Sequence, residues 1–127
     1  SIYCTPGHTP GHVTIIGNGA VVTGDCLFLG RCGRTDLFGG DPAKQRKSLL
    51  YLRKILLQLN GQHVVLPGHR YELSDGSNPT TLNLTDVMRN NEALQSIDNV
   101  EDWNNLSFLS FDDNLAEKAR RQRATNS

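Results

Sequence analysis

Three side chains that could bind a metal occur at equivalent places in the sequence. His8 follows "IYCTPG", Asp25 follows "AVVTG" and His69 follows "HVVLPG", so each comes after a short β-rich run that ends in glycine. Histidine nitrogen and carboxylate oxygen suit zinc, iron or manganese, and a carboxylate can bridge two cations through its two oxygens. A single Gly-His or Gly-Asp pair is more often part of a turn or a helix cap. The recurrence at three strand ends is what favours a metal site.

The first of these loops contains a second histidine. The segment "TPGHTPGH" at residues 5–12 places His8 and His12 four residues apart, in a loop stiffened by two prolines and loosened by two glycines. From the residues alone, either histidine could be a ligand, or both could serve only to shape the turn.

The elements that must position these side chains form an α/β pattern. Residues 13–23 predict a β-hairpin around the turn "GNG", because two short β-rich runs flank residues that tolerate positive φ. Residues 37–61 contain the clearest helix, with leucines at helical spacing. Residues 63–69 predict a buried strand followed by a turn. A hairpin, a helix and a strand in this order predict a sheet with a helix packed on it.

Signals for the helix ends are also present. Asp41 is the expected N-cap, Pro42 suits the first helical position and Gly61 is the expected stop. Beyond Glu72 the chain is rich in Ser, Thr, Asn, Gly and Pro, which predicts a loop. We expect a further helix over residues 85–95, capped by Thr85.

A last helix is expected over residues 112–124, with basic residues near its C-terminal end. The cluster Arg120, Arg121 and Arg123 is interpreted as a solvated helix end rather than a nucleic-acid site. The formal net charge of the 127 residues is zero, which gives no indication of nucleic acid or of an anionic membrane as partner.

Three cysteines without a CxxC pair favour a reducing compartment. We therefore expect a cytoplasmic protein, with the mitochondrion or a plastid as alternatives.

Three motifs together resemble the metallo-β-lactamase superfamily. The segment "TPGHTPGH" is similar to its third metal motif, "TGDCLF" to its aspartate motif and "LPGHRY" to its last histidine motif, in the family's order. The resemblance implies that residues 1–72 are the C-terminal half of an α/β (αβ/βα) sandwich. Residues 73–127 would form a loop and a helical tail. "GRCGRTDLFGGD" at residues 30–41 narrows the resemblance to glyoxalase II-like hydroxyacylglutathione hydrolases and to persulfide dioxygenases.

The resemblance implies metal ligands. His8 would bind one metal, Asp25 would bridge two metals or bind one as the catalytic carboxylate, and His69 would complete a second site. His12 and Thr9 would support the loop without binding metal themselves. The expected cofactor is a pair of zinc ions, or iron.

Substrate contacts are implied as well. Arg34 would bind the thiol-derived part of the substrate, since a guanidinium forks onto a carboxylate, and Tyr71 could hydrogen-bond substrate near the metal. The alternatives are a structural ion pair of Arg34 with Asp36 or Asp41, and a packed, half-buried tyrosine. The position of Cys32 between two arginines predicts a lowered thiol pKa.

The family's other ligand motif, His-x-His-x-Asp-His, does not occur in this sequence. We therefore expect a larger parent protein whose first half supplies the remaining ligands. Each metal would keep at most two ligands here, so the 127 residues alone should bind metal weakly or partially and catalyse little. The face that should meet the missing half would be apolar and would invite self-association.

The leading hypothesis for the parent is hydrolysis of a thioester, such as an acylglutathione, by a metal-bound hydroxide. The first alternative is a glutathione persulfide dioxygenase with one iron, in which His8 and Asp25 are ligands and His69 is spare. The second alternative is a non-catalytic remnant that serves as an interaction module.

Overall fold

The computed structural model describes residues 1–111. The helix expected over residues 112–124, with its arginine cluster, lies outside the described residues. Among residues 1–111, no helix has the length and apolar character needed to cross a membrane.

Five strands form one sheet in the order β1-β2-β3-β4-β5. The pair β3–β4 is parallel and the other three pairs are antiparallel. The expectation of a mixed α/β layer is confirmed. The strands are β1 Ile2–Cys4, β2 Val13–Ile16, β3 Ala20–Gly24, β4 Val64–Pro67 and β5 Leu82–Asn83.

The predicted hairpin over residues 13–23 is present as β2 and β3. Its turn is closed by a hydrogen bond from the N–H of Gly17 to the carbonyl of Ala20, 2.9 Å long. Gly19 has φ +86°, a backbone conformation that glycine adopts without strain. The predicted strand after the helix is β4, which lies beside β3.

Helix α1, Pro42–Leu56, connects the two parallel strands. The predicted N-cap is confirmed, because the Asp41 carboxylate accepts hydrogen bonds from the N–H groups of Ala43 and Lys44. The expected stop at Gly61 is wrong: the helix ends at Leu56, five residues earlier, and a further turn follows before β4.

The region after residue 72 differs from the sequence prediction in three ways. Residues 82–83 form the short edge strand β5, which the loop-like composition hid. The single helix expected over residues 85–95 is two helices, α2 Leu84–Asn90 and α3 Glu92–Ser96, capped by Asn83 and Asn91 rather than by Thr85. Helix α4 (Val100–Asn104) and a 3₁₀ turn (Ser107–Leu109) follow.

The core lies between one face of the sheet and the helices. Val21 and Val65 point inward from the two parallel strands and pack with Leu49 and Leu52 of α1, all without solvent exposure. Trp103 of α4 belongs to the same core, and its indole N–H donates to the carbonyl of Pro42. Residues 82–109 therefore contribute to one core with the residues before them, while the expected boundary at residue 72 stays a prediction.

The opposite face of the sheet is apolar and uncovered by any described residue. Ile2, Ile15, Val22 and Leu66 lie in register across four strands, and all are exposed. Alternation along each strand points these side chains away from α1. Such a contiguous apolar surface is unusual for a sheet face that stays in water.

Candidate metal centre

The fold brings the three predicted ligand loops to one edge of the sheet. His8 lies in the loop between β1 and β2, Asp25 directly follows β3, and His69 follows β4. Because β3 and β4 are parallel, with Gly24 opposite Pro67, the loops after them emerge side by side. The β1–β2 loop reaches the same edge because β2 runs antiparallel to β3.

Asp25 stands between the two histidines. Its Oδ2 lies 3.2 Å from Nε2 of His8, and its Oδ1 lies 2.6 Å from Nδ1 of His69. Each carboxylate oxygen therefore faces a different imidazole ring. His69 is the most open of the three, with 61% of its side chain exposed.

The hydrogen bond on the far side of the His8 ring defines which nitrogen is free. Nδ1 of His8 lies 2.7 Å from the backbone carbonyl of Arg34. A carbonyl only accepts, so Nδ1 carries the proton, and in the neutral ring Nε2 presents its lone pair to Asp25. Two acceptors facing each other need a shared proton or a metal ion between them. A backbone carbonyl behind the ring is a common support for a metal-binding histidine.

The two separations fit a metal to different degrees. Two ligands bound at about 2.0–2.1 Å to one tetrahedral zinc lie about 3.3 Å apart. The 3.2 Å between His8 and Asp25 matches that spacing. The 2.6 Å between His69 and Asp25 is a direct hydrogen bond, and the imidazole and the carboxylate must separate by about 0.7 Å before an ion fits between them.

No three donors among the His, Cys, Asp and Glu side chains of residues 1–111 converge on one ion. Each oxygen of Asp25 combines with one histidine, which gives two protein ligands at either position. A catalytic zinc usually takes three protein ligands and a water. The donor types fit zinc or iron, and the ligand number leaves room for further ligands at both positions.

His12 contacts the backbone of Asp25 and not its carboxylate. Its Nε2 accepts a hydrogen bond of 3.0 Å from the Asp25 N–H, and its Nδ1 lies 2.9 Å from the hydroxyl of Thr5. Burial lowers the pKa of His12, which favours the neutral ring that this accepting role requires. The side chain of Thr9 is exposed, and its backbone carbonyl accepts from the N–H groups of Gly7 and His12.

Two of the glycines before the ligands leave room for these contacts. Gly24 has φ +51°, and a Cβ there would lie 2.7 Å from Nε2 of His12. A Cβ at Gly68 would lie 2.5 Å from Oδ1 of Asp25. Both positions therefore require glycine for a steric reason.

Gln45 on helix α1 is a structural residue of this site that the sequence reasoning missed. It is fully buried, its Oε1 accepts from the N–H of His8, and its Nε2 donates to the carbonyls of Cys26 and Gly33. A buried polar residue on the apolar face of a predicted helix was the available signal. Gln45 thus ties the His8 loop to the segment that follows Asp25.

Arg34 and Tyr71, the predicted substrate-binding residues, both make contacts within the chain. The Arg34 guanidinium forms a two-pronged ion pair with Asp36, at 2.6 and 2.9 Å, and lies over the ring of Phe111. The ring of Tyr71 packs against Phe28, with centroids 5.3 Å apart, and about two fifths of Tyr71 is exposed. Their roles toward a substrate stay predictions.

The expectation of a lowered thiol pKa at Cys32 is wrong. Burial raises the pKa of Cys32, and the neighbouring Arg31 offsets only a small part of that effect. Cys26 is also buried, and burial raises its pKa to about 12. Both thiols are therefore protonated at neutral pH and belong to the core.

Comparison with known proteins agrees with the geometry. The family model of the metallo-beta-lactamase superfamily matches residues 4–69. A hydroxyacylglutathione hydrolase of Alkalilimnicola ehrlichii is 39% identical over 95 residues, which cover 71% of this chain and 35% of the relative. The chain thus spans about a third of that relative's length.

Solved structures show the same similarity. ETHE1 from Myxococcus xanthus superposes with a TM-score of 0.66 and 26% identity, covering 99% of this chain and 53% of that one. TTHA1623 in a di-iron-bound form gives a TM-score of 0.54 and 34% identity, covering 71% of this chain and 40% of that one.

Proposed function

Because this chain belongs to the metallo-beta-lactamase superfamily, we propose that it supplies part of the metal centre of a hydrolase that cleaves thioesters of the acylglutathione type. The observation that carries the proposal is the placement of Asp25, whose two carboxylate oxygens face two different histidines. This arrangement supports two metal positions that share one carboxylate. The similarity to hydroxyacylglutathione hydrolases supports the substrate class.

His8 and His69 would each hold one metal, zinc or iron, together with Asp25. When bound, such metals act as Lewis acids that lower the pKa of a water molecule and polarise a carbonyl. The chain's own contribution is positioning: the Arg34 carbonyl keeps the His8 lone pair aimed at the site, and His12 holds the backbone of Asp25 in place. The remaining ligands would come from another part of the whole protein.

The substrate-orienting roles belong to the loop residues beside the centre. Tyr71 lies two positions after His69 and is partly exposed, so it would be placed to meet a substrate group near the metals. Arg34 is held by Asp36, so a substrate carboxylate would approach a guanidinium that is already oriented. We assign both residues to the thiol-derived part of the substrate.

The uncovered apolar face of the sheet supports the presence of a second layer in the whole protein. Ile15, Val22 and Leu66 would pack against another αβ half of the whole protein, as the sandwich architecture of the family requires. In a preparation that lacks such a half, the same face would drive self-association.

One observation favours a second candidate, a persulfide dioxygenase with one iron. Only the His8–Asp25 pair has the separation of two ligands on one ion, whereas His69 is hydrogen-bonded to Asp25. One histidine, one carboxylate and a further histidine from elsewhere would complete a three-ligand iron site with open positions. The segment "CGRTD" is also similar to that of persulfide dioxygenases.

Metal content and thioester hydrolysis of the longest natural form test the proposal. Two metals per chain and steady release of thiol from an acylglutathione are expected. His8→Gln should lose the metal content and the thiol release. His63→Gln is the matched control, because His63 contacts the carbonyl of Asn60 away from the site. One iron per chain would favour the dioxygenase. Full metal loading without thiol release would refute the hydrolase. Absence of metal from the longest natural form and from the 127-residue chain alike would leave an interaction module.

A further inference from the structure

Helix α1 carries an uncompensated positive charge on its outer side. Every charged side chain of α1 is basic, although the 127 residues have no net charge. Two of these side chains have partners in the chain. Arg46 donates to the carbonyl of Ile97, and Arg53 forms an ion pair with Asp98. The others are exposed and form no ion pair with any carboxylate of residues 1–111, namely Lys44, Lys47 and Lys54. Such a surface attracts an anionic partner.

Apolar side chains form a line along the same outer side. Ala43, Leu50 and Leu57 recur at intervals of seven residues. Positions seven apart follow one line along a helix, because seven residues make almost two turns. Leu57 continues the helical backbone just beyond α1 and is 69% exposed, whereas Leu50 is half-buried. Lys47 and Lys54 are also seven apart, and an apolar row beside a charged row at this spacing is the pattern by which one helix recognises another.

The apolar row lies between two rows of positive charge. Leu50 has Lys47 and Lys54 on one side, three positions before it and four after it, and the two partnered arginines on its other side, four before and three after. The carboxylate of Asp98 already compensates the second arginine. Only the lysine side therefore lacks a counter-charge within the described part of the chain, so a complementary helix needs acidic side chains along one side of its apolar row.

The width of this surface favours a partner helix over a membrane. The broad apolar face of α1 is buried in the core, with Leu49, Leu52 and Leu56 almost without exposure. A single row of apolar side chains remains exposed beside the lysines. A helix that lies in a membrane surface needs a wide apolar face to enter the acyl region, whereas one row of side chains matches the ridge of one neighbouring helix.

We propose that the outer side of α1 is a docking surface for an acidic amphipathic helix of a partner protein. Carboxylates one heptad apart would meet Lys47 and Lys54, which lie about 10 Å apart along the helix axis. An apolar side chain of the same partner helix would pack on Leu57. The interface is small and its charges are exposed, so the complex is transient and sensitive to salt. The metal centre takes no part in it, so the inference is independent of the proposed function.

Fluorescence polarisation of labelled peptides with the full 127-residue chain tests the inference. The acidic probe is a peptide of three heptads in an alanine background, with leucine at every seventh position and a row of glutamates beside the leucines. The control probe has lysine in place of every glutamate. The acidic probe should bind at least about tenfold more tightly than the control, and less tightly as sodium chloride rises from about 0.05 to 0.5 M. Equal binding of the two probes, no binding of the acidic probe or no effect of salt would overturn the inference.

Matched variants locate the binding on α1. Lys47→Glu should weaken binding of the acidic probe at least about fivefold, because a repulsion replaces an attraction. Arg89→Glu, the same reversal at an exposed position of α2, should leave it unchanged. Leu57→Gln should weaken binding about threefold or more, whereas Ile2→Gln, on the exposed apolar face of the sheet, is the control because Ile2 is also 69% exposed. A variant with no more effect than its control, in folded chains, would refute the role of α1.

The longest natural form and lipid vesicles complete the test. The acidic probe should bind the longest natural form as well as it binds the 127-residue chain. Loss of binding there would show that another part of the protein covers α1, and would overturn the inference. Vesicles with about one third phosphatidylserine should bind no better than vesicles of phosphatidylcholine alone. Binding to the anionic vesicles that depends on Lys47, without binding of the acidic probe, would assign the lysines to a membrane surface instead.

Discussion

Replacement of Gln45 by leucine probes how the helix supports the metal centre. Gln45 is fully buried and joins three segments through its amide, at 3.2 Å to the N–H of His8, 3.0 Å to the carbonyl of Cys26 and 3.5 Å to that of Gly33. Leucine has a similar size and a better helix propensity, so the change removes these hydrogen bonds with little loss of packing.

The expected destabilisation follows from the groups left without partners. The N–H of His8 and the carbonyl of Cys26 lose well-formed bonds, and each unsatisfied buried group costs about 1–3 kcal/mol. The 3.5 Å contact to Gly33 is too long to add much. The sum is about 2–6 kcal/mol, a large share of the roughly 5–15 kcal/mol that stabilises a typical domain. Because two of the released segments carry His8 and Asp25, metal affinity should fall with stability.

Urea unfolding of the wild type and of Gln45→Leu measures this directly. With a slope of about 2 kcal/mol per M, the midpoint should fall by about 1–3 M. Gln58→Leu, the same change at an exposed position just after α1, should move the midpoint by less than about 0.3 M. A midpoint of Gln45→Leu within that margin of the wild type, at unchanged slope, would refute the idea that the amide holds the two loops.

Three further predictions concern the loss of stability at low pH, the binding of zinc and the exposed apolar face of the sheet. Hydrogen bonds from Arg34 and from the Phe111 N–H outweigh the effect of burial and hold the pKa of Asp36 below its ordinary value. Asp36 therefore stabilises the fold above about pH 4, and this contribution is lost as the pH falls further, so Asp36→Asn should flatten the fall in unfolding temperature between about pH 5 and 2.5. Zinc at a concentration well above its Kd should raise the unfolding temperature of the chain, and Asp25→Asn should abolish the rise, because ligands of the native state stabilise by mass action; an equal rise in both would place the zinc elsewhere. Val22→Lys, on the exposed sheet face, should reduce self-association in light scattering while unfolding changes by less than about 0.5 kcal/mol; unchanged association would show that this face is not the contact.

Local patterns were sufficient for the elements that carry their own signals. The glycine turn of the hairpin and the Asp41–Pro42 start of α1 are determined within a few residues, and both appear as predicted. The end of α1 was placed too late because glycine is a common helix stop, whereas the helix ends at Leu56, its last buried residue. Strand β5 could not be predicted, since two residues have no periodicity and exist as a strand only beside β4.

The metal centre was likewise predicted only in part from the sequence. The identity of His8, Asp25 and His69 as candidates came from their place after strands and glycines, and the parallel pairing of β3 and β4 turns that recurrence into proximity. For Gln45 the sequence offered only a polar residue on the apolar face of the predicted helix, without its partner 37 positions away. For the Arg34 carbonyl it offered nothing, because a backbone acceptor has no residue signature. The supporting contacts, rather than the ligands, are therefore what the structure adds.

The supporting contacts also determine which half of the centre is already arranged for an ion. His8 is fixed on both sides, by Gln45 at its backbone and by the Arg34 carbonyl at its ring, and it stands at ligand spacing from Asp25. Among residues 1–111, His69 has no comparable support, and it is mostly exposed and hydrogen-bonded to Asp25 instead. A first metal should therefore bind between His8 and Asp25 and, by withdrawing the carboxylate from His69, open the second position. Occupation in this order requires only the hydrogen bonds described.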